Sequence, residues 1–510
     1  MVGSAGEYRK HASSEWATTV TITIGLTLAS TVLLLVCTSP EFSWDEAWRV
    51  SRTSDTWGSI WSRYGHPGSH GPMAIYLAKL GQQILPAWIA SVEVRSRFFI
   101  ALVSSIGIGF LYWILRYSFK TSRLAALVSC CLLLFSFIWL EETDIIAPHQ
   151  LMLACTLAVA GLGYQWRESP TLRAAMWIGV VMGLGALTMT YVIPLALCLA
   201  IAVSLAGKNW FVWDRNHFKI AWAIPIAVAT SIIVVITLWP PGVWCTIPCE
   251  HHFFFLKDFE FYLQYHGHTT LVGDQILFPA PRWAALYWLA SLELPLLIAS
   301  VLIIPSAMWK AFKSGQLSSR HAYLLVFLTF FLATALAAHM AGSRNLLQFI
   351  GVLCLVIGAL FDEALDYNRQ LIRFCSALVC VAAALNLLWL SLGSSYIPYL
   401  ATDGYRAFLT QNEDRLREKT QAFVYGSPIL SYYAEQNRTP IAWDVSEMEW
   451  WPFADAAPLG PEVKYALIPE FVYRYMPPDQ PMRRVVADHW RVVWEFRGDH
   501  AWTLRLYEKP

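Results

Sequence analysis

The stretch that decides the fold is an uncharged apolar run with acidic residues directly after it. Residues 17–38 read ATTVTITIGLTLASTVLLLVCT, and residues 41–49 read EFSWDEAWR. About 20 apolar residues cross the hydrocarbon core of a bilayer, so the run predicts a first membrane span that is retained rather than cleaved. A carboxylate at a membrane face is costly unless it is solvated, paired or used. Asp45 and Glu46 are therefore candidate site residues.

The whole chain has the composition of a protein that crosses a membrane many times. Of its 510 residues, 56% are hydrophobic and only 14% are charged, and the mean hydropathy is +0.44. Soluble domains average about 25% charged residues. The formal net charge of +1 and the lack of a basic stripe argue against a nucleic-acid partner and leave the lipid bilayer as the main one.

The crossings can be read from the uncharged runs, one of which is interrupted by Glu293. The runs are residues 17–38, 98–115, 124–140, 145–166, 174–206, 220–239, 283–309, 321–343, 345–361 and 374–393. The run 174–206 is too long for one crossing, and basic residues flank both of its ends. Since basic loops lie mostly on the cytoplasmic side, this run must cross twice, with its turn near Thr190 to Pro194. The sequence predicts a polytopic α-helical membrane protein with about 11 transmembrane helices.

Basic residues also orient the chain. They place the N-terminus in the cytoplasm, so loops 39–97 and 240–282 and the C-terminal tail lie on the extracytoplasmic face of the cell (inner or plasma) membrane. We divide the chain into a transmembrane domain, residues 1–393, and an extracytoplasmic domain, residues 394–510. The tail has strand-like runs at 421–425, 463–468 and 490–496 and a helical stretch at 405–419. This alternation predicts a small α/β domain.

Polar residues able to do chemistry gather on the extracytoplasmic face. They comprise the acidic pair after the first span, an acidic turn before the fourth span and histidines in both long loops. The residues are Asp45, Glu46, Asp144, His66, His70, His266 and His268. Asp144 is preferred over Glu141 and Glu142 because it stands directly before the next span. A channel or a simple anchor would not need such loops on one side, so the pattern favours an active site there.

Several charged or polar residues also have a structural interpretation. Asp is favoured at helix N-caps, so Asp45 could cap a helix that starts near Glu46. Glu46 could orient a neighbour or pair with Arg49. A lone histidine on a buried face is more often structural than functional, and we interpret His149 in that way. Glu293 lies inside an apolar run, so we expect it to face a polar cleft or a partner on another helix.

No cofactor is certain from the sequence, and a divalent metal ion is a hypothesis. Glu250 and His251, in the second long loop, carry donor atoms that such an ion takes. The spacing of the loop histidines is not diagnostic, because adjacent side chains point apart on most backbones. Cys245 and Cys249 lie in the same loop, and the sequence leaves open whether they form a disulfide.

The motifs, taken in order, resemble those of the GT-C glycosyltransferases. The acidic pair at 45–46 is followed by a His- and Pro-rich stretch and then by the second acidic turn. Residues 266–274, HGHTTLVGD, resemble a Gly-His…Gly loop, and residues 283–295 resemble the aromatic-to-proline segment behind it. Residues 344–348, RNLLQ, resemble Arg-x-Leu-Leu-Pro with Gln348 in place of proline. The similar branch contains the protein O-mannosyltransferases and the lipid A aminoarabinose transferases, glycosyltransferase family 39.

The resemblance implies an integral-membrane glycosyltransferase of hexosyl or pentosyl type with the GT-C fold. It implies a polyprenyl-phosphate-linked sugar as donor and a lipid, glycan or protein hydroxyl as acceptor, on the extracytoplasmic face. Asp45 matches the general base of this branch, and Glu46 and Asp144 would act beside it. Arg344 would bind the donor phosphate, with headgroup snorkelling as its alternative role. Arg282 and Arg49 are further cations for the same phosphate.

A transporter or flippase, or a polymerase, of lipid-linked glycans is the alternative function. A transporter should carry paired halves and charges at the membrane midplane between broken helices. The sequence contains no internal duplication and gathers its polar residues on one face. A polymerase would share the long loop but would not predict the acidic pair after the first span or the α/β tail. The transferase is therefore favoured.

Overall fold

A computed structural model gives the conformation of most of the chain. The structure describes residues 4–36, 41–42, 44–63, 71–141, 146, 148–189, 191–205, 215–243, 245–247, 250–252, 270–272, 275–277, 281, 283–315, 317–337, 346–366, 369–391, 404–425, 427–447, 462–470, 490–497 and 503–510.

Helices make up most of the described chain. In order they are α1 (Ser4–Val36), α2 (Trp44–Ser51), α3 (Trp57–Arg63), α4 (Met73–Ile84), α5 (Val92–Tyr117), α6 (Arg123–Leu134), α7 (Phe137–Glu141), α8 (Pro148–Glu168), α9 (Leu172–Ala186), α10 (Val192–Leu205), α11 (Arg215–Leu238), α12 (Ala284–Leu292), α13 (Leu294–Lys313), α14 (Ser319–Ala337), α15 (Leu347–Leu365), α16 (Arg369–Ser391), α17 (Tyr405–Gln411), α18 (Glu413–Leu416) and α19 (Ser427–Asn437). Several begin at a Ser or Thr whose hydroxyl accepts a backbone N–H of the first turn, as Ser91, Ser122 and Thr171 do.

Five helices of the described chain are long and apolar enough to cross a membrane. They are Ser14–Val36 in α1, Val92–Tyr117, Leu294–Lys313, Ser319–Leu336 in α14 and Leu347–Leu365. Shorter apolar helices cover 123–134, 172–186, 192–204, 223–238 and 373–386. The predicted fold class, a multi-pass helical membrane domain, is confirmed, whereas the number of about 11 crossings stays a prediction.

Helix α15 forms the centre of the bundle. Nearly all of its residues are buried, and it packs against α6, α8, α13 and α14. A helix that is apolar on every side is stable only when other helices surround it. Helix α1 packs against α5 instead and exposes Leu28 and Val32 on its outer face, as expected of a helix at the lipid boundary.

Two of the apolar runs are divided in the structure, one as the sequence predicted and one that the sequence counted as a single span. The run 174–206 forms the separate helices α9 and α10, as its length predicted. The run 283–309 is divided at Glu293, whose backbone leaves the helical region with φ −119° and ψ 31°. Pro295 stands in the first turn of the next helix, a position that tolerates proline because the missing N–H has no partner there anyway.

The strands form two short hairpins in the second long loop and one larger sheet in the tail. They are β1 (Cys245–Ile247), β2 (Glu250–His252), β3 (Thr270–Val272), β4 (Gln275–Leu277), β5 (Gln421–Val424), β6 (Asp444–Glu447), β7 (Val463–Pro469), β8 (Arg491–Phe496) and β9 (Leu504–Glu508). The five-stranded sheet has the order β6-β5-β7-β9-β8, with β5 parallel to both of its neighbours and the other pairs antiparallel.

The tail contains the predicted strands and helix, together with elements that the sequence did not reveal. Strands β5, β7 and β8 and helices α17 and α18 match the predicted runs. Strands β6 and β9 and helix α19 were not predicted, although β9 forms the only pairing that joins β7 to β8 in the described sheet.

A second hydrophobic core joins this sheet domain to the helices after the first span. It contains buried residues from α17, α19 and the sheet, and it also takes in Phe42, Val50 of α2 and Ala78 of α4. Residues from the N-terminal part of the chain therefore complete the core of the tail.

Gly71 fixes the start of α4 against the turn between α9 and α10. Its N–H donates to the Thr188 carbonyl at 3.1 Å, and the N–H of Met73 donates to the Leu187 carbonyl at 3.0 Å. A β-carbon at residue 71 would lie 2.2 Å from the Leu187 carbonyl oxygen, so only glycine allows this close approach.

Gly71→Ala should therefore destabilise the protein and lower its activity. The added methyl must push two backbone segments apart, and overpacking of this kind costs about 1–3 kcal/mol. Thermal unfolding in detergent measures the effect. Gly58→Ala is the matched control, because its β-carbon would meet nothing closer than the Thr56 hydroxyl at 4.0 Å. Equal unfolding temperatures for the two variants would contradict the close approach.

Candidate active site

Asp45 lies in the first turn of α2. The helix begins at Trp44, so Asp45 is already inside it and is not the N-cap of a helix that starts at Glu46. Acidic residues in the first turn interact favourably with the positive end of the helix dipole. The orientation of the Asp45 side chain lies outside the described part of the structure.

Glu46 is bound by Arg97 of α5, and its predicted pairing with Arg49 stays a prediction. The Arg97 Nε donates to Oε1 at 2.9 Å and its Nη2 donates to Oε2 at 2.6 Å, so both carboxylate oxygens take part. The same Nη2 donates to the Glu41 carbonyl at 2.9 Å. Glu46 is 0% exposed and Arg97 3%. This buried two-point contact, of the charge-assisted kind that is about twice as strong as a neutral hydrogen bond, fixes α2 against α5.

Arg49 connects α2 to the segment behind the second acidic turn. Its Nη1 donates to the Ile146 carbonyl at 3.0 Å, and the side chain is buried. Ile146 comes two residues after Asp144, so this bond brings the chain around the two predicted acidic segments together. The predicted role of Arg49 in donor-phosphate binding stays a prediction.

Lys79 of α4 holds the other end of α2. Its Nζ donates to the carbonyls of Thr53 and Asp55, each at 2.6 Å, and it lies 5.5 Å from the centre of the Trp57 ring. A buried ammonium needs such partners, because an unpaired one would be expensive. Helix α2 is therefore held by Arg97 near its start and by Lys79 just beyond its end.

Glu293 supports the short helix that leads into the second acidic turn. Its Oε1 accepts the Ser136 hydroxyl at 2.6 Å and the Ile138 N–H at 2.8 Å, at the break between α6 and α7. The residue is buried, so the expectation of a partner on another helix is confirmed. Gln150 of α8 adds a bond from its amide to the Trp139 carbonyl at 3.2 Å.

Gln348 connects the start of α15 to the start of α8. Its amide donates to the His149 carbonyl at 3.1 Å, and both residues are buried. Gln348 is the residue that stands in place of proline in the RNLLQ motif, and a proline could not make this bond. The contact brings the chain that follows Arg344 close to the chain that follows Asp144.

Most of the remaining predicted site residues lie outside the described part of the structure. These are Asp144, Arg344, Arg282, His66, His70, His266 and His268, together with the side chains of Glu250 and His251. In the hairpin of β1 and β2, Glu250 pairs in register with Ile247, and His251 pairs with Thr246. Among the residues that the structure describes, no group of three metal-ligating side chains occurs. The metal hypothesis and the Cys245–Cys249 disulfide remain untested.

The sequence did not single out Arg97, Glu93 or Lys79. A signal was present, since Glu93 and Arg97 stand four residues apart directly before an apolar run and so share one face of α5. Charges at that position could equally have been interfacial. Only the fold gives them their partners, because it brings Glu46 of α2 to Arg97 and Tyr433 of α19 to Glu93.

The architecture defines a multi-pass membrane protein with a helical bundle and a small sheet domain. Over 96% of this chain and 97% of the other, the fold is similar to that of ArnT from Cupriavidus metallidurans, whose structure was solved bound to undecaprenyl phosphate, with a TM-score of 0.52 and 14% identity. This similarity identifies the fold as GT-C.

Residues 69–244 match the sequence profile of the dolichyl-phosphate-mannose-protein mannosyltransferase family. Together with the fold, this match confirms the class predicted from the sequence, a membrane glycosyltransferase of the GT-C type. The match begins directly before Gly71 and covers the second acidic turn, but it does not include α2.

Other solved structures are similar at lower scores. The arabinofuranosyltransferase AftD from Mycobacteria has a TM-score of 0.48 and 14% identity, over 96% of this chain and 40% of its own. The oligosaccharyltransferase of Archaeoglobus fulgidus has a TM-score of 0.47 and 12% identity, over 94% of this chain and 74% of its own. No curated protein sequence matches the chain.

Proposed function

We propose that the protein transfers a sugar from a polyprenyl-phosphate donor to a hydroxyl acceptor. The observation that carries the proposal is the pair of buried bonds between the flanks of the predicted site segments. Arg49 binds the Ile146 carbonyl and Gln348 binds the His149 carbonyl. These bonds support one shared active site. Arg49 lies four residues after Asp45, Ile146 two residues after Asp144, and Gln348 four residues after Arg344, so the bonds hold the three segments near one another.

The names of the similar proteins support this class of donor. The family matched by residues 69–244 is named for a dolichyl-phosphate sugar, and ArnT was solved with undecaprenyl phosphate. Both lipids are polyprenyl phosphates. A donor of this kind keeps its isoprenoid in the bilayer and its phosphate at the interface, so the enzyme needs its polar groups at one membrane face, where the sequence concentrates them.

Asp45 is proposed as the general base. Its carboxylate takes the proton of the acceptor hydroxyl while the acceptor oxygen forms a bond to the anomeric carbon. The bond between that carbon and the phosphate oxygen breaks, and its electron pair leaves with polyprenyl phosphate. Arg344, with Arg282 and Arg49 as further cations, would neutralise the phosphate charge that develops. Asp144 would orient the acceptor from the opposite segment.

Glu46 is proposed as a positioning residue. Both of its carboxylate oxygens accept hydrogen bonds from Arg97, and its side chain is shielded from solvent. A carboxylate held in this way cannot readily move a proton to or from a substrate. It can keep α2 in one orientation, which fixes the neighbouring Asp45.

The finer points of the function are also proposals. We place the protein in the cell membrane with its N-terminus in the cytoplasm and the sheet domain outside, as the basic loops favour. The sugar is a hexose or a pentose, and the acceptor is a lipid, a glycan or a protein. The histidines at 66, 70, 266 and 268 would lie in the loops that contact the substrate.

A deletion strain tests the proposed function. We expect mass spectrometry of glycolipids and envelope glycans to find one glycosyl modification missing and one polyprenyl-phosphate sugar accumulated. Expression of the wild-type protein should restore the modification, whereas expression of the Asp45→Asn variant should not. Unchanged envelope glycans in the deletion strain, with no donor accumulating, would contradict the proposal.

A further inference from the structure

The sheet domain binds the residues that lead into α2. Phe42 is completely buried, and its ring stacks on Tyr433 of α19 at 6.2 Å and meets the edge of Tyr432 at 5.4 Å. Ala47 and Val50 of α2 belong to the same core. The candidate catalytic helix is thus packed against α19 as well as against the membrane domain.

Glu41 extends this contact to the first helix of the sheet domain. Its Oε2 accepts the N–H groups of Gly404 at 3.1 Å and Tyr405 at 2.9 Å, and its Oε1 accepts that of Arg406 at 3.1 Å. Three donors on one buried carboxylate satisfy N–H groups that a helix leaves without partners at its start. The side chain of Glu41 therefore attaches the segment directly before α2 to the sheet domain.

Tyr433 fixes the same chain at its backbone. Its hydroxyl accepts the Phe42 N–H at 2.9 Å and donates to Oε1 of Glu93 at 2.8 Å. Glu93 also pairs with Arg406, whose guanidinium lies 4.5 Å from the centre of the Tyr433 ring. Burial raises the pKa of the Tyr433 phenol, so the hydroxyl keeps its proton and can serve as the donor to Glu93.

We propose that the sheet domain is a positioning element of the active site, and that Tyr433 is its principal positioning residue. Asp45 follows Phe42 by three residues, so the backbone bond from Tyr433 sets where α2 begins. This inference rests on the proposed function, because it gives the domain a role in the step assigned to Asp45. It assigns no contact between Tyr433 and the substrate.

The test compares two tyrosines on the same helix. Tyr433→Phe removes both hydrogen bonds and keeps the ring that stacks on Phe42. Tyr432→Phe is the matched control, because Tyr432 also packs on Phe42 but its hydroxyl makes no hydrogen bond with the described residues. The assay uses the full-length protein in detergent, a radiolabelled polyprenyl-phosphate sugar and an envelope extract of the deletion strain as the acceptor pool.

We expect Tyr433→Phe to lower kcat by about 10- to 100-fold, since a misplacement of about 1 Å can cost a reaction that much. The KM for the donor should stay near the wild-type value, and the control variant should resemble wild type in both. A loss of stability alone would reduce the amount of folded protein. The kcat calculated for the folded protein would then be the same in the two variants.

Each outcome decides the inference. Wild-type kcat in Tyr433→Phe, or equal losses in the two variants, would overturn it and leave the proposed function intact. No transfer by the wild-type protein would overturn the proposed function instead. If Tyr433→Phe does not fold, Glu41→Gln serves as the second variant, because an amide has only one oxygen and cannot accept the three N–H groups by which the sheet domain holds the chain before α2. An unchanged kcat in that variant would also overturn the inference.

Discussion

Replacement of Asp45 by Asn is expected to abolish sugar transfer while the protein still inserts and folds. Asn has the same shape as Asp but cannot take the proton of the acceptor hydroxyl. Loss of a general base typically lowers a rate by about 10²–10⁴-fold. The KM for the polyprenyl-phosphate donor should change little, because the residues proposed to bind the phosphate are Arg344, Arg282 and Arg49 and not Asp45. Steady-state kinetics with purified protein in proteoliposomes measure both constants.

The Asp55→Asn variant is the matched control for Asp45→Asn. Asp55 follows α2 in the same loop, and in the structure it is its backbone carbonyl that binds Lys79. The amide should therefore be tolerated at residue 55 and not at residue 45. Full activity of Asp45→Asn would remove Asp45 from the base role, and a similar loss in both variants would point to a general effect of charge in the loop.

Replacement of Arg97 by Met is expected to have the largest effect on stability. It would leave the Glu46 carboxylate buried without the guanidinium that binds both of its oxygens. Breaking a buried ion pair by removing one partner costs about 3–5 kcal/mol. The Glu41 carbonyl would lose a donor as well. We expect a much lower yield of folded protein and a lower unfolding temperature in detergent.

Two further variants test whether the effect of Arg97→Met comes from the lost pairing with Glu46. Arg95→Met changes the same residue type on the same helix, but among the residues that the structure describes Arg95 donates only to the carbonyls of Gln82 and Leu85, so the loss should be smaller. The double variant Arg97→Met with Glu46→Leu removes both charges, and stability should largely return, because apolar residues can replace a buried pair. A double variant less stable than the single one would contradict the assigned pairing.

The parts of the fold that sequence could predict are those with a local signal. Long uncharged runs determine helices such as α5 and α15, and excessive length revealed that residues 174–206 form two helices. Strands β5 and β7 were predicted because their apolar runs are flanked by polar residues. Strand β9 was missed, since it is only five residues long and its place in the sheet depends on pairing with β7 and β8.

The candidate site was predictable as a set of segments and not as a set of contacts. The acidic pair at 45–46 could be located because carboxylates are rare beside an apolar span. Its partner could not, because Arg97 is 51 residues further along and reaches Glu46 only through the packing of α2 on α5. The role of Tyr433 was still less visible, since nothing local indicates that a tyrosine 391 residues away binds the Phe42 N–H.

The most direct test of a transferase centred on Asp45 is the chemical fate of a doubly labelled donor. The protein is reconstituted in liposomes with a polyprenyl-phosphate sugar that carries one isotope in the sugar and another in the lipid, with an envelope extract as acceptor pool. A transferase predicts that polyprenyl phosphate appears in the same amount as the sugar that leaves it, and that Asp45→Asn stops both. Movement of the intact donor across the bilayer, with the sugar still attached, would contradict this account and favour a flippase.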